Sequence, residues 1–267
     1  MKRLFLTCWL LAAAGLFAAD TVLLSLDAEK ENGWDGGAII TADEAHFGNA
    51  AYLAKGRKRL TSLKKIEIDG ERKYRASLWL KQQGETPSEV YVGWVCYDSK
   101  GQVIPSEAYH RVSGSFTMLA APAKQGESTI LLKDASKWRK GKTCVVAFNA
   151  DKGDADLPNH DTSDIVTAVE KEGDAWRVTL ANPLAADYPE GCGVREHLKG
   201  GDLYFFISKL EPGQWRQVQS PWTLGKNLRC ASFVKLVIIS NLATAFKDGR
   251  VLFDDVQVVT DGTNVSF

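Results

Sequence analysis

The run Tyr74-Arg-Ala-Ser-Leu-Trp-Leu-Lys81 alternates apolar and polar residues. Successive side chains of a β-strand point to opposite faces, so Arg75, Trp79 and Lys81 share the face opposite the apolar residues. A tryptophan ring can stack on the apolar face of a sugar, and cationic side chains can donate hydrogen bonds to its hydroxyl groups. These residues predict a carbohydrate-binding surface centred on Trp79 and Arg75. The alternative is that a second sheet or another domain covers Trp79.

Two further aromatic residues are candidates for the same role. Tyr91 lies in the predicted strand 89–97, where the alternation favours Tyr91 over Trp94 as the exposed aromatic residue. Trp34 lies in the segment Asn32-Gly-Trp-Asp-Gly-Gly, which is typical of a flexible loop. We expect the Trp34 ring either to be available to a ligand or to fold onto the edge of the sheet.

Short apolar runs with a period of two recur along the chain, separated by Gly, Pro, Asn and Asp residues. No amphipathic helix with capping residues is evident, so the pattern predicts an all-β fold, a sandwich or a barrel. Residues 119–198 contain their own set of short strands and glycine turns. We therefore predict an inserted small β-barrel-like domain at 119–198, between sandwich segments 20–118 and 199–267.

Joined across this insertion, the two outer segments resemble the jelly-roll carbohydrate-binding modules that bind xylan and cellulose, in the galactose-binding-domain-like group. The motifs that carry the resemblance are Asn32-Gly-Trp34, Gly48-Asn-Ala-Ala-Tyr52, the run 74–81, Asp98-Ser-Lys-Gly101, Gly213-Gln-Trp-Arg-Gln-Val218 and Leu252-Phe-Asp-Asp-Val256. The resemblance implies a jelly-roll β-sandwich, here interrupted by the inserted domain, with a polysaccharide as the partner.

Asp254 shares its predicted strand face with Leu252 and Val256, so the alternation points its carboxylate inward. A buried carboxylate needs a cation or several hydrogen-bond donors. The resemblance implies a structural Ca²⁺ near the chain ends, with Asp254, Asp27 and Glu29 as oxygen ligands. The alternative is that Asp254 accepts hydrogen bonds from backbone amides or pairs with a lysine or arginine.

Residues 1–19 have the pattern of a cleaved secretory signal peptide, with Lys2 and Arg3 before an apolar run and Ala18-Ala19 at its end. We therefore expect a secreted, periplasmic or cell-surface protein. No run is long enough to predict a membrane span. Cleavage would leave 31 basic residues (33 − 2) against 33 acidic residues, a net charge of −2. This balance argues against binding of nucleic acid.

Four cysteines would remain in the mature chain, namely Cys96, Cys144, Cys192 and Cys230. An even number in an exported protein permits two disulfides, with three possible pairings. We favour Cys144–Cys192 and Cys96–Cys230, because each pair then lies within one predicted domain. Four free thiols are the alternative.

The sequence contains no HExxH pair and no Gly-x-Ser-x-Gly motif. A glycosidase needs two carboxylates about 5–10 Å apart, which a count of acidic residues does not test. We predict non-catalytic polysaccharide binding. The alternatives are a structural or assembly protein of the cell exterior on the same scaffold and, less favoured, a glycan-active enzyme.

Overall fold

The computed structural model describes residues 20–228 and 231–262. The predicted signal peptide and Cys230 lie outside these ranges. The described residues form β-strands and three short 3-10 helices, so the all-β prediction is confirmed. No helix in these two ranges is both long and apolar enough to cross a membrane.

The strands are numbered in chain order. The first eight are β1 (Thr21–Leu26), β2 (Trp34–Asp35), β3 (Ile39–Thr41), β4 (Ala51–Lys55), β5 (Lys58–Ser62), β6 (Ile66–Glu67), β7 (Lys73–Gln83) and β8 (Ser88–Tyr97). The next six are β9 (Thr117–Met118), β10 (Thr129–Leu132), β11 (Cys144–Ala147), β12 (Thr162–Glu172), β13 (Ala175–Leu180) and β14 (Gly193–Leu198). The last five are β15 (Leu203–Leu210), β16 (Arg216–Gln219), β17 (Thr223–Leu224), β18 (Phe233–Ser240) and β19 (Arg250–Thr260). The 3-10 helices are Ser106–Ala108, Gly225–Leu228 and Thr244–Phe246.

Strands from both ends of the chain form two antiparallel sheets. The first sheet has the order β16-β7-β19-β4-β3, with β1 also paired to β19 and β17 to β7. The second sheet has the order β15-β8-β18-β5-β2, with β6 also paired to β18. The late strands β19 and β18 therefore lie between early strands in both sheets, and each sheet needs both outer segments of the chain.

The two sheets enclose one core because their strands alternate apolar and polar residues. Leu78 and Leu80 of β7, Val90 and Val92 of β8, and Phe253 of β19 belong to the same buried cluster. Full burial of one apolar side chain of this size contributes about 1.5–3 kcal/mol to the stability of the fold. The architecture is a β-sandwich, as predicted, and its two outer faces carry the remaining alternate residues.

A third antiparallel sheet, ordered β10-β13-β12-β11-β14-β9, lies between β8 and β15 in the chain. It has its own buried cluster, which includes Leu132, Trp138 and Phe148. A single bridge between Leu119 and Leu132 joins its two end strands. Among the described residues the unit is thus barrel-like without a continuous ladder to close it. The boundaries at 119 and 198 stay predictions, and β9 begins two residues before the first.

Candidate functional site

The aromatic residues predicted to bind a ligand lie on opposite sides of the sandwich. Leu78 and Leu80 of β7 and Val90 and Val92 of β8 point into one core. Trp79 alternates with the two leucines along β7, and Tyr91 alternates with the two valines along β8. Each aromatic ring therefore points away from the core, on the outer face of its own sheet. Arg75, Trp79 and Lys81 share the outer face of the first sheet, whereas Tyr91 belongs to the second.

Trp79 is partly covered by the segment that connects β3 and β4. The imidazole of His46 stacks on the indole of Trp79, with ring centroids 3.9 Å apart and an angle of 19° between the planes. His46 also contacts the ring of Trp215 edge-on at 5.4 Å. A short loop, rather than the second sheet or the third, thus occupies one side of the predicted stacking platform.

The two cationic residues predicted beside Trp79 already have protein partners. The guanidinium carbon of Arg75 lies 4.4 Å from the ring centroid of Trp222, and its Nη2 lies 3.5 Å from Asp20. Lys81 forms an ion pair with Glu44. A sugar hydroxyl on this face would have to compete with these contacts.

Trp34 is a core residue, so its interpretation as a loop residue available to a ligand is wrong. Pairing of Trp34 with Ser62 places β2 at the end of the second sheet and turns the indole inward. The residue is 4% exposed, and its ring contacts the rings of Phe253 at 5.2 Å and Tyr52 at 6.3 Å edge-on. Burial against two aromatic rings removes far more apolar area from water than a loop position would.

The outer face of the second sheet carries a set of tyrosines above an apolar floor. Register places Tyr91 opposite Ile239, and Ile239 opposite Arg59, in one row across three strands. In the next row Tyr204 lies opposite Gly93, and Gly93 opposite Val237. We call this surface the tyrosine face and define it by Tyr91, Tyr97, Tyr204, Val95, Val237 and Ile239, which pack together apart from the main core.

A β-bulge turns Tyr204 toward this face. The pairing of β15 with β8 shifts register between Tyr204 and Phe206, and Phe205 and Phe206 both pack against the main core. The bulge brings the β15 backbone close to Gly93, where a β-carbon would be 2.5 Å from the carbonyl oxygen of Leu203. The absence of a side chain at Gly93 therefore permits the bulge that presents Tyr204.

Each ring of the tyrosine face contacts another aromatic ring. Tyr91 and Tyr204 meet edge-on with centroids 5.3 Å apart, and Tyr97 stacks on Phe233 at 4.8 Å. Lys235 lies over the ring of Tyr97 at 5.9 Å. Tyr91, Tyr97 and Tyr204 are all half-buried, so each keeps part of its surface in contact with solvent.

A charged pair stands at the rim beside Tyr204. Arg59 donates two hydrogen bonds to Asp202, at 2.6 and 3.1 Å, and the hydroxyl of Tyr204 donates to the same carboxylate at 3.1 Å. Burial and the neighbouring Asp202 raise the pKa of Tyr204 to about 12. The phenol is therefore protonated at neutral pH and remains a hydrogen-bond donor.

This rim borders a cavity of about 500 Å³. Its lining comprises Arg57, Lys58, Arg59, Gly201, Asp202, Tyr204, Ile239 and Leu242. A volume of several hundred Å³ with an apolar wall and a few polar groups is typical of small-molecule sites. The arrangement offers aromatic rings for stacking and charged donors and acceptors for hydroxyl groups within one concave surface.

Sequence reasoning identified Tyr91 but missed Arg59, Tyr97, Asp202 and Tyr204. In β5, buried Leu60 alternates with Arg59, so the sequence could have predicted that Arg59 points outward. The sequence could not have predicted the orientation of Tyr204, because that orientation depends on the bulge.

Asp254 points to the outer face of the first sheet, so the expectation of an inward carboxylate is wrong. The register of β19 against β7 shifts between Asp254 and Gln257, and Asp255 has a positive φ of 46°. Before this bulge Val251 and Phe253 face the core, and after it Val256 and Val258 do. The alternation extrapolated through the strand therefore reverses at the bulge.

The Asp254 carboxylate accepts hydrogen bonds from the backbone. Its Oδ2 accepts from the amides of His46 at 3.0 Å and Phe47 at 3.1 Å, and its Oδ1 accepts from the amide of Asp255 at 2.8 Å. Three backbone amides therefore satisfy this carboxylate, which is only 1% exposed. This agrees with the alternative prediction that Asp254 accepts hydrogen bonds from backbone amides. The same contacts fasten the loop that carries His46 over Trp79.

The other two predicted calcium ligands are engaged elsewhere. Glu29 accepts hydrogen bonds from the amides of Asn49 and Ala50, and Asp27 pairs with Lys30 at 2.8 Å. In residues 20–228 and 231–262, no group of three or more acidic, histidine or cysteine side chains is placed to hold a metal ion. Oδ1 of Asp27 is buried without a hydrogen-bond partner among the described residues, and calcium binding by Asp254, Asp27 and Glu29 stays a prediction of the resemblance.

Cys144 and Cys192 are buried free thiols, which contradicts the predicted Cys144–Cys192 disulfide. Cys144 lies opposite Leu198 in the β11–β14 ladder, six residues from Cys192 along the partner strand. Six residues of strand span about 20 Å, whereas the Cα atoms of a disulfide lie within about 7 Å. Cys96 is buried in the main core, and its predicted pairing with Cys230 stays untested because Cys230 lies outside the described residues.

No protein-family model and no curated protein matches the chain. Among solved structures, it is similar to a xylan-binding domain from Paenibacillus barcinonensis, with 12% identity and a TM-score of 0.42 over 92% of this chain and 98% of that one. It is also similar to a xylan-binding domain of carbohydrate-binding module family 22, with 8% identity, a TM-score of 0.40 and coverage of 91% and 97%. A third is a C-terminal family 22 module from Clostridium thermocellum, with 8% identity, a TM-score of 0.38 and coverage of 92% and 97%. These modules are of the kind that the sequence resembles.

Proposed function

We propose that the tyrosine face binds polysaccharide, and that this binding, without catalysis, is the function of the chain. The observation that carries the proposal is the placement of half-buried Tyr91 and Tyr204 over an apolar floor, with the Arg59–Asp202 pair at the rim. Sugar rings combine an apolar C–H face with hydroxyl groups at their edges. The tyrosine face offers a partner to each part of such a ring.

The rigidity of the face supports the proposal. Tyr91 and Tyr204 contact each other, and the Tyr204 hydroxyl is fixed on Asp202, so their side chains lose little conformational freedom on binding. Two stacked rings and a few hydrogen bonds give a binding free energy of about −4 to −6 kcal/mol. This corresponds to dissociation constants between about 1 mM and about 40 μM, a range suited to reversible contact with a polymer.

The outer face of the first sheet is the second candidate surface, because it carries the predicted residues Trp79, Arg75 and Lys81. His46 occupies one side of Trp79 by stacking on its indole ring. We therefore rank this surface below the tyrosine face. The signal peptide pattern supports export of the protein to the cell exterior, where polysaccharides are accessible.

Affinity electrophoresis of residues 20–267 through gels that contain soluble polysaccharides tests the proposal. The expected result is retardation by at least one polysaccharide, lost in Tyr204→Ala and Tyr91→Ala and kept in Trp79→Ala. Circular dichroism of each variant controls for folding. Loss in Trp79→Ala alone would transfer the function to the first sheet. Retardation by none of the polysaccharides would overturn the proposal in favour of a structural or assembly role.

A further inference from the structure

The cavity beside Tyr204 has an excess of positive charge that the whole chain does not have. Its lining contains the three cationic residues Arg57, Lys58 and Arg59 and the single anionic residue Asp202, a balance of 3 − 1 = +2. The full sequence has 33 basic and 33 acidic residues. The cations are thus concentrated where the proposed ligand would lie, which favours an anionic partner.

A second cationic cavity lies where the sandwich meets the third sheet. It has a volume of about 490 Å³, and its charged lining residues are Arg111, Lys226 and Asp154. Asp154 already pairs with Arg111 at 2.6 Å and with Arg195 at 2.7 Å. Lys226 is exposed and forms no ion pair with another described residue, so its charge remains available to a ligand.

A third cavity, of about 340 Å³, shares lining residues with each of these two. It shares Tyr204 with the first, and His110, Leu203 and Asn227 with the second. Trp94 and Phe205 add aromatic surface to its wall. Shared lining residues make the three cavities neighbours. We call this row of cavities the path, and its two outer cavities have cationic residues in their linings.

His110 lines two of the three cavities and lies in the middle of the path. The Nδ1 atom of His110 is buried and has no hydrogen-bond partner among the described residues. Burial, with a smaller effect of Arg139, lowers the pKa of His110, so the ring is neutral at pH 7. The neutral ring therefore leaves the middle of the path without a charge of its own.

We propose that the polysaccharide bound on the tyrosine face is acidic, and that its carboxylate groups are bound by Arg57 and Lys58 at one end of the path and by Lys226 at the other. This inference rests on the proposed function and names the class of its ligand. Arginine suits the task because its planar guanidinium can donate two parallel hydrogen bonds to one carboxylate. The uncharged middle of the path, between Tyr204 and His110, would hold the sugar rings that join the carboxylates.

The test compares acidic polysaccharides with their carboxyl-reduced counterparts, which keep the backbone and linkages and lack the charge. Glucuronoxylan and polygalacturonate are the acidic probes, each used in both forms in affinity gels at low salt and in 0.5 M NaCl. We expect at least one acidic form to bind about tenfold more tightly than its reduced counterpart at low salt, and this preference to diminish at high salt.

Two charge variants locate the preference. Arg57→Gln combined with Lys58→Gln, and separately Lys226→Gln, should each reduce the preference for the acidic form over the carboxyl-reduced form several-fold. Lys171→Gln, an exposed lysine on β12, is the control for a change in net charge. Equal affinity for both forms, or a preference that survives in the variants, would overturn this inference and leave the proposed function intact. Failure of both forms and of every neutral polysaccharide to bind would overturn the proposed function, and this inference with it.

Discussion

Tyr204 lies directly opposite Gly93, and the backbone of β15 occupies the space that a side chain at residue 93 would fill. A β-carbon there would be 2.5 Å from the Leu203 carbonyl oxygen and 2.8 Å from the Tyr204 Cα atom. Both are backbone atoms and cannot move aside without shifting the strand. The orientation of the central ring of the tyrosine face thus depends on the absence of a side chain on the neighbouring strand.

Gly93→Ala is therefore expected to lower the free energy of unfolding by about 1–3 kcal/mol and to abolish retardation by polysaccharide. Urea unfolding followed by tryptophan fluorescence measures the first effect, and affinity electrophoresis the second. Gly70→Ala is the matched control, because a β-carbon at Gly70 would be 4.0 Å from its nearest neighbour. Equal stability of the two variants would contradict the close approach of β15 to Gly93.

The buried guanidinium of Arg195 organises the third sheet. Its side chain is 3% exposed and pairs with Asp154 and Asp156, each at 2.7 Å, while its Nε donates to Nε2 of His197 at 2.9 Å. Arg195→Gln would leave the partly buried carboxylate of Asp156 without its cation. We expect the free energy of unfolding to fall by about 3–5 kcal/mol.

Arg177→Gln is the control for this prediction. Arg177 pairs with Glu172 on the surface of the same sheet, where solvent screens the charges, so its loss should leave urea unfolding nearly unchanged. A similar midpoint for the two variants would show that the Arg195 network contributes no more than an exposed pair.

His197 makes the stability of the protein depend on pH. Its Nε2 accepts from Arg195, and its Nδ1 lies 2.6 Å from the Glu107 carbonyl oxygen, so the ring is neutral with its proton on Nδ1. Burial, with the charge of Arg195, lowers the pKa of His197 to about 4, although the nearby carboxylates Asp154 and Asp156 act in the opposite direction.

Between pH 6.5 and about 4, the unfolded chain therefore binds a proton at His197 that the folded protein does not. The corresponding stability is fully present above pH 6.5 and is lost as the pH falls through this window, by up to about 1.4 kcal/mol per pH unit and about 3 kcal/mol in total. The lowered pKa of His110 also makes the protein less stable as the pH falls below 6.5. The lowered pKa of Asp156 has this effect only below pH 3.8, the ordinary pKa of an aspartate, and so outside this window. Urea unfolding at pH 7.0, 5.5 and 4.5, with an NMR titration of the His197 ring, measures the effect. A pKa of His197 at or above 6.5 would contradict it.

The elements whose alternation is uninterrupted could be predicted from the sequence. In β7 the period of two identifies both the core residues and the outward position of Trp79. It fails in β19, where the bulge at Asp254 reverses the direction of every later side chain, and in β15, where a bulge turns Tyr204 outward. A bulge is set by pairing with a neighbouring strand, and one strand's sequence does not contain that information.

The pairing of distant strands also explains why the predictions for Trp34 and for the Cys144–Cys192 disulfide were wrong. Trp34 follows a glycine and resembles a loop residue in sequence, but pairing with Ser62 inserts its ring into the core. Cys144 and Cys192 belong to one predicted domain, yet the β11–β14 ladder holds them far apart. Composition could identify these residue types as candidates, whereas only strand pairing determines which of them meet.

The thiols give a direct test of that register. Burial, together with Glu196, raises the pKa of Cys144, and both Cys144 and Cys192 are shielded from solvent, so we expect neither to react with a thiol reagent in the native protein. Peptide mapping without reduction should find no Cys144–Cys192 link, even after oxidation. Both thiols should react in urea. A Cys144–Cys192 disulfide in the native protein would require a different pairing of β11 with β14.

Substitutions of Tyr204 can separate the contribution of aromatic stacking from that of hydrogen bonding in the proposed polysaccharide binding. Tyr204→Phe removes the hydroxyl that donates to Asp202 but keeps the ring against Tyr91, and the two hydrogen bonds from Arg59 still satisfy the carboxylate. If stacking dominates, Tyr204→Phe should weaken polysaccharide binding by no more than about fivefold, the effect of one hydrogen bond. Tyr204→Ala should weaken it by about tenfold or more, since the ring itself is lost. Isothermal titration with a soluble oligosaccharide of the retarding polymer measures both. Equal losses in the two variants would assign the binding energy to the hydroxyl and its carboxylate, and would remove aromatic stacking as the basis of the tyrosine face.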